Sequence, residues 1–143
     1  MKTMDPCTLV IFGAGGDLSR RKLIPALFRL EIAGRMQEKM VILATGRSPW
    51  SREQWIVEVT ALLAAKYPNG YDHSACERFH ARLHYHANPP GDDAAYDRLR
   101  QTLEEDPAFP RNVVFYMAVR PAEFPAIVDK LGNVELLRQN NGW

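Results

Sequence analysis

Thr8-Leu-Val-Ile-Phe-Gly-Ala-Gly-Gly-Asp-Leu-Ser-Arg20 runs from an unbroken apolar stretch through a glycine cluster into a polar segment that can start a helix. Residues 9–12 read as a strand covered on both faces, because an apolar run without alternation leaves no wet side. The glycines let the chain turn tightly and bring backbone amides close to a ligand. The helix that follows offers N–H groups that no carbonyl of its own can reach. Placed between strand and helix, such a cluster reads as the pyrophosphate cradle of a dinucleotide-binding unit; out of context the glycine spacing alone is weak. The glycine usually found five residues after the first is Leu18 here, so the spacing is G-x-x-G-x-x-S through Gly13, Gly16 and Ser19. Ser19 is small enough for helix to pack on strand.

Working outward, Leu23, Ile24, Leu27, Phe28 and Ile32 recur at helical spacing and Gly34 supplies a stop. Pro25 lies inside this helix and is expected to kink it, since it has no N–H for the carbonyl of residue 21. Residues 41–44 form a second apolar run. Ser51 and Gln54 make a capping box ahead of Trp55, Ile56, Val59, Leu62 and Leu63. After a loop at Pro68-Asn-Gly70, residues 79–85 alternate apolar with polar, as a strand near a sheet edge does, and residues 92–103 read as a third helix. Residues 113–119 are the most apolar run, expected as a central strand, followed by Pro121 and a helical pattern through Phe124, Ile127, Val128 and Leu131.

Four repeats of strand then helix imply an α/β fold: a Rossmann-like, doubly wound parallel sheet of about four strands with helices on both faces. Residues 1–143 are expected to form one NAD(P)-binding domain, incomplete at its C-terminal end, where a further strand would follow Gln139-Asn-Asn-Gly-Trp143. Such a sheet would leave apolar surface on the 113–119 strand, so aggregation or dimerisation of the chain is expected.

With 18 basic against 17 acidic residues the net charge is +1, which gives no general reason to expect nucleic acid or an anionic membrane as partner. Arg20-Arg-Lys22 is a short basic run beside a phosphate loop and needs no nucleic acid to explain it. Cys7 and Cys76 are far apart, lack metal spacing and read as reduced thiols of a cytoplasmic protein. The apolar run at 9–12 is far too short for a signal-peptide core or a membrane span. His80, His84 and His86 would share one face of the third expected strand by its period of two. No fourth ligand stands nearby, so they are expected to be solvated histidines and no metal site is assigned. Trp50, Trp55 and Trp143 fit core or interface equally.

The end of the second strand bears on which dinucleotide is bound. NAD-selective sites place a carboxylate there for the ribose 2′-hydroxyl, whereas Thr45-Gly-Arg-Ser48 has none and presents Arg47. A guanidinium suits a 2′-phosphate by charge and by paired donors, so NADP is expected over NAD, with a solvated loop arginine as the alternative.

Beyond the generic pattern, residues 8–27, with Gly-Asp-Leu, a basic cluster and a proline within the helix, resemble the opening motif of glucose-6-phosphate dehydrogenases. The resemblance continues through Thr45-Gly-Arg47, Asp92-Asp-Ala-Ala-Tyr96, Phe115-Tyr-Met-Ala-Val119 and Gly142-Trp143. It implies oxidation of glucose 6-phosphate to the lactone with hydride transfer to NADP, the first step of the oxidative pentose phosphate pathway, and homo-oligomeric assembly of the full-length enzyme. It assigns Gly13, Ala14, Gly15, Gly16, Asp17, Leu18, Ser19 and Arg20 to the cofactor phosphates, Arg47 to the 2′-phosphate and Lys22 to the substrate. From the residues alone, Lys22 is equally a solvated helix lysine.

The chain also departs from the family pattern. Gly15 stands where many relatives carry Ser, Thr or Lys, and Arg120 where Pro is frequent. Asn88-Pro-Pro-Gly91 replaces a stretch that in many relatives lines the adenine end, so no contact is transferred there. The family's Glu-Lys-Pro-Phe-Gly segment and its later histidine base are not in these residues. No catalytic residue is therefore assigned, and the isolated chain is expected to be inactive. A non-catalytic NADP-binding module is the alternative.

Overall fold

Four parallel strands, β1 (Thr8–Phe12), β2 (Val41–Gly46), β3 (Leu83–Ala87) and β4 (Val113–Met117), form one sheet in the order β3-β2-β1-β4. The structure, a computed structural model, describes residues 6–89 and 91–134. β1 is the central seam, with Thr8 beside Val41 and Val113, and Phe12 beside Thr45 and Met117. Alternate residues of each strand point to opposite faces. Leu9, Ile11, Ile42 and Ala44 pack under α1 (Ile24–Ile32), α2 (Arg52–Lys66) and α3 (His73–Arg82), against Phe28, Trp55 and Phe79. Val10, Phe12 and Leu43 pack under α4 (Ala94–Glu105) and α5 (Phe124–Asn133), against Leu99, Leu103 and Leu131. The sheet is therefore covered on both sides, as a doubly wound fold requires.

The capping box forms as expected: Ser51 Oγ accepts from Gln54 N–H at 3.2 Å while Gln54 Oε1 accepts from Ser51 N–H at 2.8 Å. Pro25 acts differently from a mid-helix kink. A π-helical turn, Ser19–Leu23, precedes α1, and Ile24 N–H bonds back to Ser19 C=O, so the disruption is absorbed ahead of the proline, which then sits in the first turn of α1.

Residues 79–82 belong to α3, not to a strand. Ala75, Cys76, Phe79 and Arg82 are buried at helical spacing, and Asp72 caps the helix by accepting from Ser74 N–H at 2.9 Å. The apparent alternation arose because the helix runs straight into β3. Among the described residues β4 pairs with β1 alone. Val114 and Tyr116 stand in register with buried Leu9 and Ile11, yet are 49% and 39% exposed, because no described helix covers β4 on that face.

At the amino ends of the strands, Arg82 and Glu31 form a buried ion pair, Nε to Oε1 2.5 Å. Arg82 Nη1 also donates to the carbonyls of Gln37 (2.6 Å) and Met40 (2.9 Å). One guanidinium thus joins α1, α3 and the segment that enters β2.

Candidate cofactor site

The turn after β1 is built around Gly13, whose φ of +83° disfavours any side chain. A Cβ there would also collide with the Ala118 carbonyl and lie 2.7 Å from Val119 Cγ1, so the glycine lets the end of β4 close over the turn. Gly13 and Ala14 donate their N–H groups to Thr45 C=O at 3.2 and 3.0 Å, tying the turn to the end of β2. Gly16 is pinched differently: a Cβ would stand 3.2 Å from Gly13 O. The helical ladder begins with Arg20 N–H to Gly16 C=O at 3.0 Å, which leaves the amides of Asp17, Leu18 and Ser19 at the helix start, where a phosphate is favoured.

A cleft of about 1080 Å³ opens at the carboxyl ends of β1, β2 and β4, where the strand order reverses on either side of β1. Gly13, Gly15, Gly16, Asp17, Leu18, Lys22 and Arg47 all line it. The remaining sequence-assigned residues do not. Ala14 and Ser19 are buried beneath the turn, and Ser19 Oγ has no hydrogen-bond partner among the described residues. Arg20 points toward α2, beside Trp50, Trp55 and Glu58. Its neighbours Arg21 and Lys22 take the cleft side, Arg21 in an exposed ion pair with Asp17 at 3.2 Å. Among the described residues neither Lys22 nor Arg47 has an ion pair or side-chain hydrogen bond, so both cations are available to an anion.

The loop carrying Arg47 is held from below by an aromatic stack that sequence reading did not find. Trp50 stacks on Trp55 with centroids 5.7 Å apart, and Tyr85 packs against both. Tyr85 Oη donates to Ser48 C=O at 2.8 Å, and burial pushes its phenol up to about 12, so it stays a neutral donor. Gly46 permits this approach, since a Cβ would lie 2.8 Å from Tyr85 Oη. This places Trp50 and Trp55; Trp143 lies outside the described residues. Asn88, whose N–H donates to Gly46 C=O at 2.7 Å, also lines the cleft, as do Tyr96, Arg120 and Glu123. Their helical and loop contexts carried no local signal of this convergence.

His84 and His86 share one face of β3, whereas His80 lies on α3, and all three are half-buried with partners rather than freely solvated. His80 lies on α3 with Nε2 3.1 Å from Thr60 Oγ1, His84 packs edge-on against Phe109, and His86 Nε2 donates to Ala95 C=O at 2.9 Å. Burial lowers all three below the ordinary histidine range. Among the described residues no three His, Cys, Asp or Glu side chains are grouped to hold a metal, and no helix is long and apolar enough to cross a membrane. Cys7 and Cys76 are buried free thiols.

A doubly wound sheet with a glycine turn at its switch point, helix-start amides and two unpaired cations on one cleft is the arrangement of a dinucleotide-binding domain. The residues fit that group: glycines at positions 13 and 16 keep the cradle free of Cβ atoms, and position 15 is open, with Trp50 the nearest neighbour at 3.7 Å. Residues 10–143 match the family described as "Glucose-6-phosphate dehydrogenase, NAD binding domain". The chain belongs to the glucose-6-phosphate dehydrogenase family. It is 34% identical over 142 residues to glucose-6-phosphate 1-dehydrogenase of Chlamydia pneumoniae, covering 97% of this chain and 28% of that protein. With the enzyme of Bacillus subtilis (strain 168) it shares 32% over 138 residues, covering 94% and 27%. The crystal structure of the Mycobacterium avium enzyme superposes with a TM-score of 0.80 at 26% identity, over 94% of this chain and 28% of that one. A glucose-6-phosphate dehydrogenase in complex with its substrate glucose 6-phosphate gives a TM-score of 0.80 at 32% identity, over 99% and 30%. The chain thus spans somewhat over a quarter of the length of the relatives it matches.

Proposed function

We propose that residues 1–143 act as one domain, the NADP-binding portion of a cytoplasmic glucose-6-phosphate dehydrogenase, which oxidises glucose 6-phosphate to its lactone. The bound cofactor supplies the hydride acceptor. Gly13, Gly15 and Gly16 admit the pyrophosphate, the amides of Asp17 and Leu18 bind its charge, and Ala14 and Ser19, both buried, set the turn from beneath. Arg47 holds the 2′-phosphate. Lys22, on the same cleft, orients the sugar phosphate.

The observation that carries this reading is Arg47: an unpaired guanidinium at the end of β2, facing the glycine turn's cleft, in a segment with no carboxylate for a ribose 2′-hydroxyl. Calorimetric titration with NADP and NAD tests it. NADP is expected to bind more tightly, and Arg47→Ala to weaken NADP by about 10- to 100-fold, the worth of charge-assisted hydrogen bonds, while leaving NAD nearly unchanged. Equal affinities unaffected by the substitution would remove the NADP assignment.

A further inference from the structure

We propose that Arg120 is a specificity-determining anion contact, holding a phosphoryl group at the β4 side of the same cleft; this rests on the cofactor reading above. Along the carboxyl edge of the sheet, Arg47 follows β2, the glycine turn follows β1, and Arg120 follows β4, in the spatial order β2-β1-β4. Neighbouring strands lie about 4.8 Å apart, so the two arginines stand on strands about 10 Å apart with the phosphate cradle between them. A dinucleotide with its 2′-phosphate at Arg47 and its pyrophosphate on the turn must direct its other half toward β4, where the second substrate meets it.

Arg120 is fixed at the backbone and free at the tip. Its φ and ψ of −64° and 146° are the extended geometry required before Pro121, and its N–H donates to Glu123 Oε2 at 3.2 Å. Arg120 lines the cleft, its side chain is 84% exposed, and among the described residues its guanidinium meets only the Glu123 carboxylate, at 3.6 Å. An exposed pair at that distance holds a side chain weakly, whereas a phosphoryl group offers the fork two charge-assisted bonds. Closure of β4 over Gly13 keeps this rim against the turn. Two anions carry the required chemistry: the cofactor's pyrophosphate and the phosphate of a sugar phosphate.

The test measures dissociation constants of the 143-residue chain, unmodified and as Arg120→Gln, Arg120→Lys and Arg47→Ala, for NADP, glucose 6-phosphate and adenosine 2′,5′-bisphosphate. Arg120→Gln is expected to weaken NADP or glucose 6-phosphate about tenfold, with Arg120→Lys restoring part of the loss because charge returns without the fork. Loss confined to NADP assigns the pyrophosphate, and loss confined to glucose 6-phosphate assigns the sugar phosphate. The bisphosphate reports on the Arg47 end: Arg47→Ala weakens it and Arg120→Gln does not. If it behaves so while Arg120→Gln alters neither NADP nor glucose 6-phosphate, the Arg120 proposal is overturned and the cofactor reading stands. If neither NADP nor the bisphosphate binds the unmodified chain, both fall together.

Discussion

Replacing Arg82 by Met is expected to destabilise the chain by about 3–5 kcal/mol, the cost of breaking a buried ion pair from one side. The size follows from what is left behind. Glu31 is 2% exposed and would keep its carboxylate with only Arg78 nearby, at 3.5 Å and from a side chain 46% exposed. The carbonyls of Gln37 and Met40 would also lose their donor, each worth about 1 kcal/mol, which partial rescue by Arg78 offsets. Met retains most of the apolar stem, so the loss is electrostatic rather than a cavity. With a urea m-value of about 2 kcal/mol/M, the midpoint should fall by about 1.5–2.5 M at unchanged m. Adding Glu31→Gln should return about 1–2 kcal/mol, because no charge then remains buried alone. Cofactor affinity should not move in conditions where the variant is folded, since the pair sits at the amino ends of the strands and the cleft at the carboxyl ends. A midpoint shift below about 0.5 M, or strictly additive single and double variants, would show that the pair does not organise the α1–α3 corner.

Gly13→Ala should cost about 2 kcal/mol or more and abolish dinucleotide binding, while Gly34→Ala, at φ +69° with open space around its Cβ, should cost only about 1 kcal/mol and leave binding intact; thermal denaturation and titration of both variants check the contrast. His80, His84 and His86 are lowered by burial, so the unfolded chain takes up protons first as pH falls below about 6.5. Their stabilisation is therefore present above that pH and lost progressively below it, and denaturation midpoints that stay level from pH 7.5 to 5 would contradict this. Exposed Val114 and Tyr116 on the β4 edge should drive self-association. Val114→Lys with Tyr116→Lys should raise the monomer fraction in sedimentation velocity, an expectation lost if the unmodified chain is monomeric at all concentrations.

Local signals were enough wherever a feature is made by neighbours in the chain. The run into Gly13, the Ser51–Gln54 box and the absence of a carboxylate around Arg47 each depend on a few consecutive residues, and the structure has the strand, the cap and the open arginine where they indicate. The 79–85 segment misled because a helix joined directly to a strand mimics alternation, and its resolution lies in partners far away: Arg82 is buried by Glu31, 51 residues earlier. The pairing of β4 with β1, the support of the Arg47 loop by Tyr85, and the arrival of Asn88, Tyr96 and Arg120 at the cleft are likewise products of strand order. The sequence by itself determined the glycine turn between β1 and its helix and the basic residue that follows β2, because glycine turns and helix starts are written in adjacent residues. Only the tertiary structure decided which cations face the cleft, which face away and what stands opposite them, because crossovers bring those groups together from segments that share no local pattern.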